Sequence, residues 1–248
     1  MKLQIKSAIQ RFFNRFGFQI RKIDKGVSYI DPYQEQKRLL NNESVEVIFE
    51  VGAADGRDCD VYTALFPNSK VYAFEPLPDS FAKVVKRAEV NKSIIPFNLA
   101  LSSKSGEATF FKTDLDDASS LLESRITNST FDIYQKVVGS IQVQTDTIDN
   151  ICAANKVEKI DILKMDAQGA ELEILKGAIN MIKAGKIKMI YTEIQFVQLY
   201  KGAPLYHEIA AFLTENNFVL HNLFGFTHNQ KGILAWGDAL FVSKQIEY

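Results

Sequence analysis

Three segments of this sequence carry glycines and acids at spacings that suit ligand chemistry. The first is Phe49-Glu50-Val51-Gly52-Ala53-Ala54-Asp55-Gly56, an apolar run that ends in a glycine turn. In an open parallel sheet such a turn faces the crevice at the carboxyl ends of the strands, where ligands bind. Glycine lets backbone and ligand approach closely there. The spacing is G-x-x-x-G, with Ala54 where a dinucleotide fingerprint, G-x-G-x-x-G, needs its middle glycine. An acid at position 50 would repel a phosphate and suits an ammonium or sulfonium ion. S-adenosylmethionine carries both of those charges and no phosphate, so it is the expected ligand of Glu50, Gly52, Ala53, Asp55 and Gly56.

Glu75 ends the next apolar run, about 20 residues past the glycines, where an acid can accept hydrogen bonds from both ribose hydroxyls. Pro76 then stops the ladder and fixes the exit loop. Taken alone, Glu75 would pass for an ordinary solvated strand-end acid. The third segment, residues 162–171, puts Asp166 at the end of a central strand, facing the same crevice. Glu171 falls in the first turn of a helix, where a carboxylate favours the dipole. Glu193 ends the following strand and should lie near Asp166. Two such carboxylates can ligate Mg²⁺, or one can serve as a base with a raised pKa. The plain alternatives are helix capping or pairing with Lys164. His207, His221 and His228 form no ligand-spaced cluster. His228, in a late polar segment expected to loop over the site, is a third base candidate. Tyr200, Tyr206, Phe224 and Trp236 could wall an acceptor pocket, although core packing explains most such aromatics.

Alternation of short β-branched or aromatic runs with helical patterns must position these groups. Strands are predicted at residues 47–51, 70–74, 94–97, 160–165, 189–194, 218–223 and 239–242. Helices are predicted at 33–40, 59–66, 80–90, 148–154, 171–182 and 205–215. That order implies βαβ units, a mostly parallel sheet and helices on both faces. The last two strands follow each other across the polar turn 225–231 without a helix, which predicts an antiparallel edge pair. Residues 107–145 break the alternation with strands at 108–111 and 141–144 around a Ser/Thr/Asp-rich stretch, an insertion beside the site. The acceptor pocket is expected from 113–129 and 225–236.

Ile5, Ile9, Phe12, Phe13 and Phe16 recur at helical spacing, so residues 3–16 read as an amphipathic helix stopped by Gly17. Its stripe would pack on the main domain, or its basic face would meet anionic lipid or an acidic partner. Residues 1–25 hold seven basic residues against Asp24 alone, while the whole chain has a formal net charge of -1. The overall balance argues against a dedicated nucleic-acid binder. Cys59 and Cys152 are too isolated for a disulfide framework or a zinc site, and no run approaches a membrane span. The expected place is the cytoplasm, free or peripheral to the inner face of the membrane. The 248 residues suffice for one large core, read as a basic segment 1–28 and a catalytic domain 29–248.

Residues 49–56, 74–76, 163–177 and 191–194 together resemble the FkbM family of methyltransferases. The most specific stretch runs from Leu163-Lys164-Met165-Asp166 through Gly169 and Glu171 to Lys176-Gly177-Ala178. The likeness extends from residue 30 to 243, including Asp31-Pro32-Tyr33, Asn98-Leu99-Ala100-Leu101-Ser102 and Gly237-Asp238-Ala239. The resemblance implies a Rossmann-like class I methyltransferase fold with a seven-stranded sheet. It also implies methyl transfer from S-adenosylmethionine to an oxygen of a sugar, glycan or secondary metabolite. By position it assigns Gly52 and Gly56 to the methionine part, Glu75 to the ribose, and Asn98, Ala100 and Leu101 to the adenine side. Two departures stand out: Ala54-Asp55 where the family commonly has Asn and a variable residue, and Gln168 where many members have Glu. The second removes an acid and moves the assignment of base or metal ligand to Asp166 and Glu193. A nucleotide-linked oxidoreductase and a non-catalytic S-adenosylmethionine-binding protein are the rival readings.

Overall fold

Five parallel strands, apolar over most of their length, form the centre of the fold. A computed structural model describes residues 31–41, 44–114, 118–125, 136–229 and 231–244. The helix expected at 3–16 and the basic segment 1–25 lie outside them. Contacts divide the chain into Met1–Arg38 and Leu39–Tyr248. In the first unit, helix α1 (Pro32–Leu39) begins at Asp31, whose Oδ1 accepts from the N–H groups of Tyr33 at 2.9 Å and Gln34 at 3.0 Å.

In the second unit the order is β1 (Val47–Val51), α2 (Arg57–Leu65), β2 (Lys70–Phe74), α3 (Pro78–Val90) and β3 (Ile94–Phe97). There follow β4 (Ala100–Leu101), β5 (Gly106–Thr113), β6 (Val137–Asp146), α4 (Ile148–Asn155) and β7 (Ile160–Met165). The remainder is α5 (Glu171–Lys176), α6 (Ile179–Lys183), β8 (Ile187–Gln195), α7 (Tyr206–Glu215), β9 (Phe218–His228) and β10 (Leu234–Ser243). The main sheet has seven strands in the order β3-β2-β1-β7-β8-β10-β9. β3, β2, β1, β7 and β8 are parallel, and β10 runs antiparallel to both β8 and β9. The chain winds outward from β1 through β2 to β3, then returns to β7 on the other side of β1. The switch point therefore lies between the ends of β1 and β7.

One face of this sheet is largely apolar. Phe49, Val51, Leu163, Met165, Ile190, Ile194 and Phe241 pack there with Ile148, Ile174, Leu175, Ile182, Ile209 and Leu213 from α4 to α7. Strand alternation turns Glu50, Lys164, Tyr191 and Glu193 to the opposite face, where α2 packs on β1 and β2.

Several elements depart from the sequence pattern. The helix expected at 171–182 is two helices, because Asp149 caps a new start: its Oδ2 accepts from Asn180 N at 3.0 Å and its Oδ1 from Met181 N at 3.0 Å. The break falls at Gly177, where a Cβ would stand 2.1 Å from the carbonyl oxygen of Ser102. β9 and β10 are longer than their hydrophobic stretches, so most of the turn placed at 225–231, and the pocket wall placed at 225–236, is paired strand. The insertion forms a second sheet of three strands, β4-β6-β5, and β4 was invisible as a two-residue strand. Ser120 bridges to Phe111 and Ser124 to Tyr200, which ties residues 118–125 across the strand ends.

Leu163, on the central strand, has no solvent exposure. Leu163→Ala should cost about 2–5 kcal/mol, read as a lower urea midpoint with an unchanged slope.

Candidate active site

Three strand ends converge on the turn after β1. The N–H groups of Gly52 and Ala53 donate to Phe74 O at 3.1 and 3.0 Å, and Asp166 N donates to Val51 O at 2.9 Å. Gly52 has φ +77°, and a Cβ there would lie 1.9 Å from Asp166 O. Only glycine lets β1 and β7 close up in this way. Ala54 also sits at positive φ, 48°. Its N–H donates to Glu75 Oε2 at 2.8 Å, while Glu75 Oε1 accepts from Leu77 N at 2.8 Å. Asn98 Nδ2 donates to the carbonyls of Glu75 and Pro76 at 2.9 and 3.1 Å and so sets the loop after β2.

Two hollows meet at this turn. The first encloses about 540 Å³, counting space open to solvent, between Gly52, Glu75, Leu101, Phe110, Leu121 and Asp166. Pro76 and Ala100 also line it. The second, about 650 Å³ on the same basis, lies between Ala53, Asp55, Arg57, Asp58 and Lys164. Gly52, Ala54 and Asp166 belong to both. Gly56 lines neither; at φ 79° it starts α2 and donates to Ala53 O at 2.7 Å.

Glu50 meets a partner the sequence did not assign to it. Its carboxylate is completely buried and faces Lys164 Nζ at 2.7 Å, its register partner on β7. Lys164 also reaches Asp58 Oδ2 at 3.2 Å. Burial pushes the Glu50 carboxyl up to about 8, with Lys164 pulling the other way. Burial likewise opposes the Lys164 ammonium, but Glu50, Asp166 and Asp58 outweigh it and hold its pKa well above the ordinary value. The charge of Glu50 is thus answered inside the protein.

Beyond Asp166 lies a group of buried acids. Burial raises Glu193 well above the ordinary carboxyl range, with the charges of Asp166, Glu171 and Asp238 adding to it. Glu193 Oε2 is buried without a hydrogen-bond partner. Asp238, its register partner on β10, is pushed up to about 6 by burial and by Asp166. Glu171 is pushed up to about 7 by burial, although its Oε1 accepts from Ala167 N at 2.9 Å and Gly169 N at 3.2 Å. It therefore clamps the loop that carries Gln168, a role beyond favouring a helix dipole. Gln168 Nε2 donates to Asp166 Oδ1 at 2.7 Å. That amide presents hydrogens to Asp166 where a divalent cation would have to sit. Among the described residues no group of three His, Cys, Asp or Glu could hold a metal ion. The site does not fit Mg²⁺, and no step is routed through it.

His228 is exposed at the end of β9, paired with Leu234, and lines neither hollow. The sequence reading passed over Lys164 and Asp238 as parts of the site, although Lys164 stands two residues before Asp166 and so shares its strand face. The hydroxyl of Tyr200, read as an apolar wall, contacts Gln168 Oε1 at 2.7 Å.

Comparison with known proteins gives a consistent result. The sequence matches the family model described as Methyltransferase FkbM domain over residues 50–220. It is similar to the 2-O-methyltransferase NoeI of Sinorhizobium fredii, 28% identical over 201 residues that cover 79% of this chain and 80% of the relative. It is also similar to the hexuronic acid methyltransferase AglP of Haloferax volcanii, 27% identical over 197 residues, 75% of each chain. The crystal structure of a methyltransferase FkbM from Methylobacillus flagellatus matches with a TM-score of 0.52 at 15% identity, covering 80% of this chain and 44% of that one. That last likeness speaks for the fold.

A carboxyl whose pKa is raised on folding keeps its proton longer in the native chain than in the unfolded one. Its contribution to stability is present below pH 4.5, the ordinary value, and is lost as pH rises towards about 8. Lys164→Met removes the cation that opposes this loss. The variant should be destabilised by about 3–5 kcal/mol at pH 8, and by clearly less at pH 5, in urea unfolding at the two pH values.

Proposed function

The chain belongs to the FkbM methyltransferase family, and we propose that it moves the methyl group of S-adenosylmethionine to a hydroxyl oxygen of a sugar or glycan. The observation that carries this reading is the meeting of two chemically different hollows at Gly52 and Asp166. The apolar walls Leu101, Phe110 and Leu121 suit an adenine ring, and Glu75, whose carboxylate is fixed by the N–H groups of Ala54 and Leu77, lines the same hollow where an acid would meet ribose hydroxyls. Asp55, Asp58 and Arg57 suit the ammonium and carboxylate of a methionine tail. The charge that Glu50 was expected to supply falls to Asp55 and Asp58. An oxygen acceptor of sugar type is favoured by two relatives, a 2-O-methyltransferase and a hexuronic acid methyltransferase.

The bound donor supplies a methyl group already activated by its sulfonium. Asp166, lining both hollows, accepts the hydroxyl proton as the oxygen attacks in line, and Glu193, whose charge burial and the neighbouring acids oppose, stands on the adjacent strand. Most of the acceleration comes from placement of the two reactants. His228 has no part in this assignment. Residues 29–248 form the methyltransferase domain in this reading. The seven basic residues of 1–25 give that segment a charge suited to a membrane surface or an acidic partner in the cytoplasm. Among the described residues no helix is long and apolar enough to cross a membrane.

Labelled S-adenosylmethionine offered with nucleotide sugars, lipid-linked glycans and free glycosides should give a methyl ether on one of them. Transfer only to amines or carboxylates would overturn the hydroxyl assignment, and no transfer to any acceptor would favour a donor-binding protein without turnover. Asp166→Asn should lower kcat by about 10²–10⁴-fold while S-adenosylhomocysteine affinity, followed by calorimetry, stays near that of the native chain. Glu75→Ala should do the reverse, weakening S-adenosylhomocysteine binding by about tenfold or more for the loss of a charged hydrogen-bond acceptor.

A further inference from the structure

From Gly52 to Gly56, only Gly56 borders neither hollow, so ligand approach does not explain its glycine. What does crowd it comes from α3. A Cβ at Gly56 would stand 2.8 Å from Arg87 Cδ, 3.3 Å from Arg87 Nε and 3.6 Å from Val84 Cα. The Arg87 side chain crosses over the glycine and ends on its neighbours. Nε donates to Asp55 O at 2.5 Å, Nη1 donates to Asp60 Oδ2 on α2, and Nη2 stands 4.0 Å from Asp55 Oδ2. Arg57 holds the same aspartate from the other side, with its N–H on Oδ1 at 3.1 Å and its Nε on Oδ2 at 2.7 Å. Asp55 and Arg57 both line the second hollow.

We propose that Arg87 is a positioning residue of the donor site, and that position 56 is glycine so that its guanidinium can cross onto the turn. The proposal rests on the reading of the second hollow as the seat of the methionine tail. A planar guanidinium carries its donors in a rigid fork, so one side chain can hold a carbonyl and a carboxylate at a fixed angle. The bond to Asp55 O sets the plane of the Asp55–Gly56 peptide, and with it the direction in which the Asp55 carboxylate leaves the turn. The bond to Asp60 fixes the first turn of α2, which also carries Asp58, a wall of the same hollow. Without Arg87, Asp55 and Arg57 would still pair, but nothing from α3 would fix where that pair points. The packing of α3 on α2 has a further contact one turn on, where Asn91 Nδ2 donates to Thr63 Oγ1 at 2.9 Å. Loss of Arg87 should therefore loosen the turn and leave the two helices together.

The test is calorimetric binding of S-adenosylhomocysteine to the full chain and to Arg87→Ala, Arg87→Lys, Gly56→Ala and the Gly56→Ala, Arg87→Ala double variant. Arg87→Ala should bind about tenfold more weakly for the loss of a charged hydrogen bond. Arg87→Lys should recover little of that loss, because an ammonium keeps the charge without the fork. Gly56→Ala should weaken binding in the native background and clearly less beside Arg87→Ala, where the side chain it collides with is gone. Once an acceptor is in hand, Arg87→Ala should raise the donor KM and leave kcat at saturating donor near native. A residue that only supported the fold would lower the urea midpoint and leave the affinity of the folded chain unchanged. Native affinity in Arg87→Ala would overturn the positioning role, as would full rescue by Arg87→Lys or additive losses in the double variant. If Arg87→Ala does not fold, Arg87→Lys decides. A native chain with no affinity for S-adenosylhomocysteine would sink the donor reading and this proposal with it, whereas unchanged variants of a chain that binds would sink this proposal alone.

Discussion

A carbonyl oxygen stands where a side chain at position 52 would have to be, and the site depends on that. With no Cβ on Gly52, the backbone of Asp166 closes onto the end of β1, and the Val51 carbonyl takes its N–H. The same turn gives two further N–H groups to Phe74, so the ends of β1, β2 and β7 are bound to one another. The glycine thus serves the placement of the acid as much as the approach of a ligand. A β-carbon there would push β7 away from β1 and carry Asp166 with it, along with the loop that hangs from Asp166 to Glu171.

Period-two alternation then sorts the chemistry. On the face that holds Phe49, Val51, Leu163 and Met165 hydrocarbon dominates, with Asp161 at the start of β7 bound to the N–H groups of Glu46 and Val47. On the other, register places Glu50 beside Lys164, Lys164 beside Tyr191, and Glu193 beside Asp238. A buried ion pair of this kind is weak evidence for stability, since desolvation offsets much of its attraction. Its consequence here is local: a fixed ammonium two residues from Asp166, in a neighbourhood otherwise crowded with acids.

The strand and helix pattern was legible because each central strand is buried on at least one face and so reads as a continuous apolar run. The acids at strand ends were legible for the same reason, as polar residues that interrupt such runs at defined places. What could not be read were partners brought from elsewhere in the fold. Glu50 looked like a ligand group because nothing in its own segment announces Lys164, more than a hundred residues away. The break at Gly177 depends on Asp149 and Ser102, neither of which alters the helical pattern of 171–182. β9 and β10 run past their apolar stretches because pairing, which polar residues can join, extended them. His228 was placed in a loop by its polar neighbours and lies instead in the last rung of that ladder.

The four acids near the glycine turn also limit one another. Glu171 is committed to two backbone N–H groups, Glu193 is held up by burial and by the charges of Asp166, Glu171 and Asp238, and Asp238 is held up by burial and by Asp166. Each is a carboxyl whose charge the surroundings oppose. Asp166 alone borders both hollows and combines access to a reactant with a nearby cation. A hydroxyl attacking a sulfonium needs one proton acceptor at the moment of attack, and several competing charges there would only stabilise the sulfonium in its ground state. Opposing the charge of three acids while giving the fourth a border on both hollows is a physical route to a single proton acceptor in the proposed reaction.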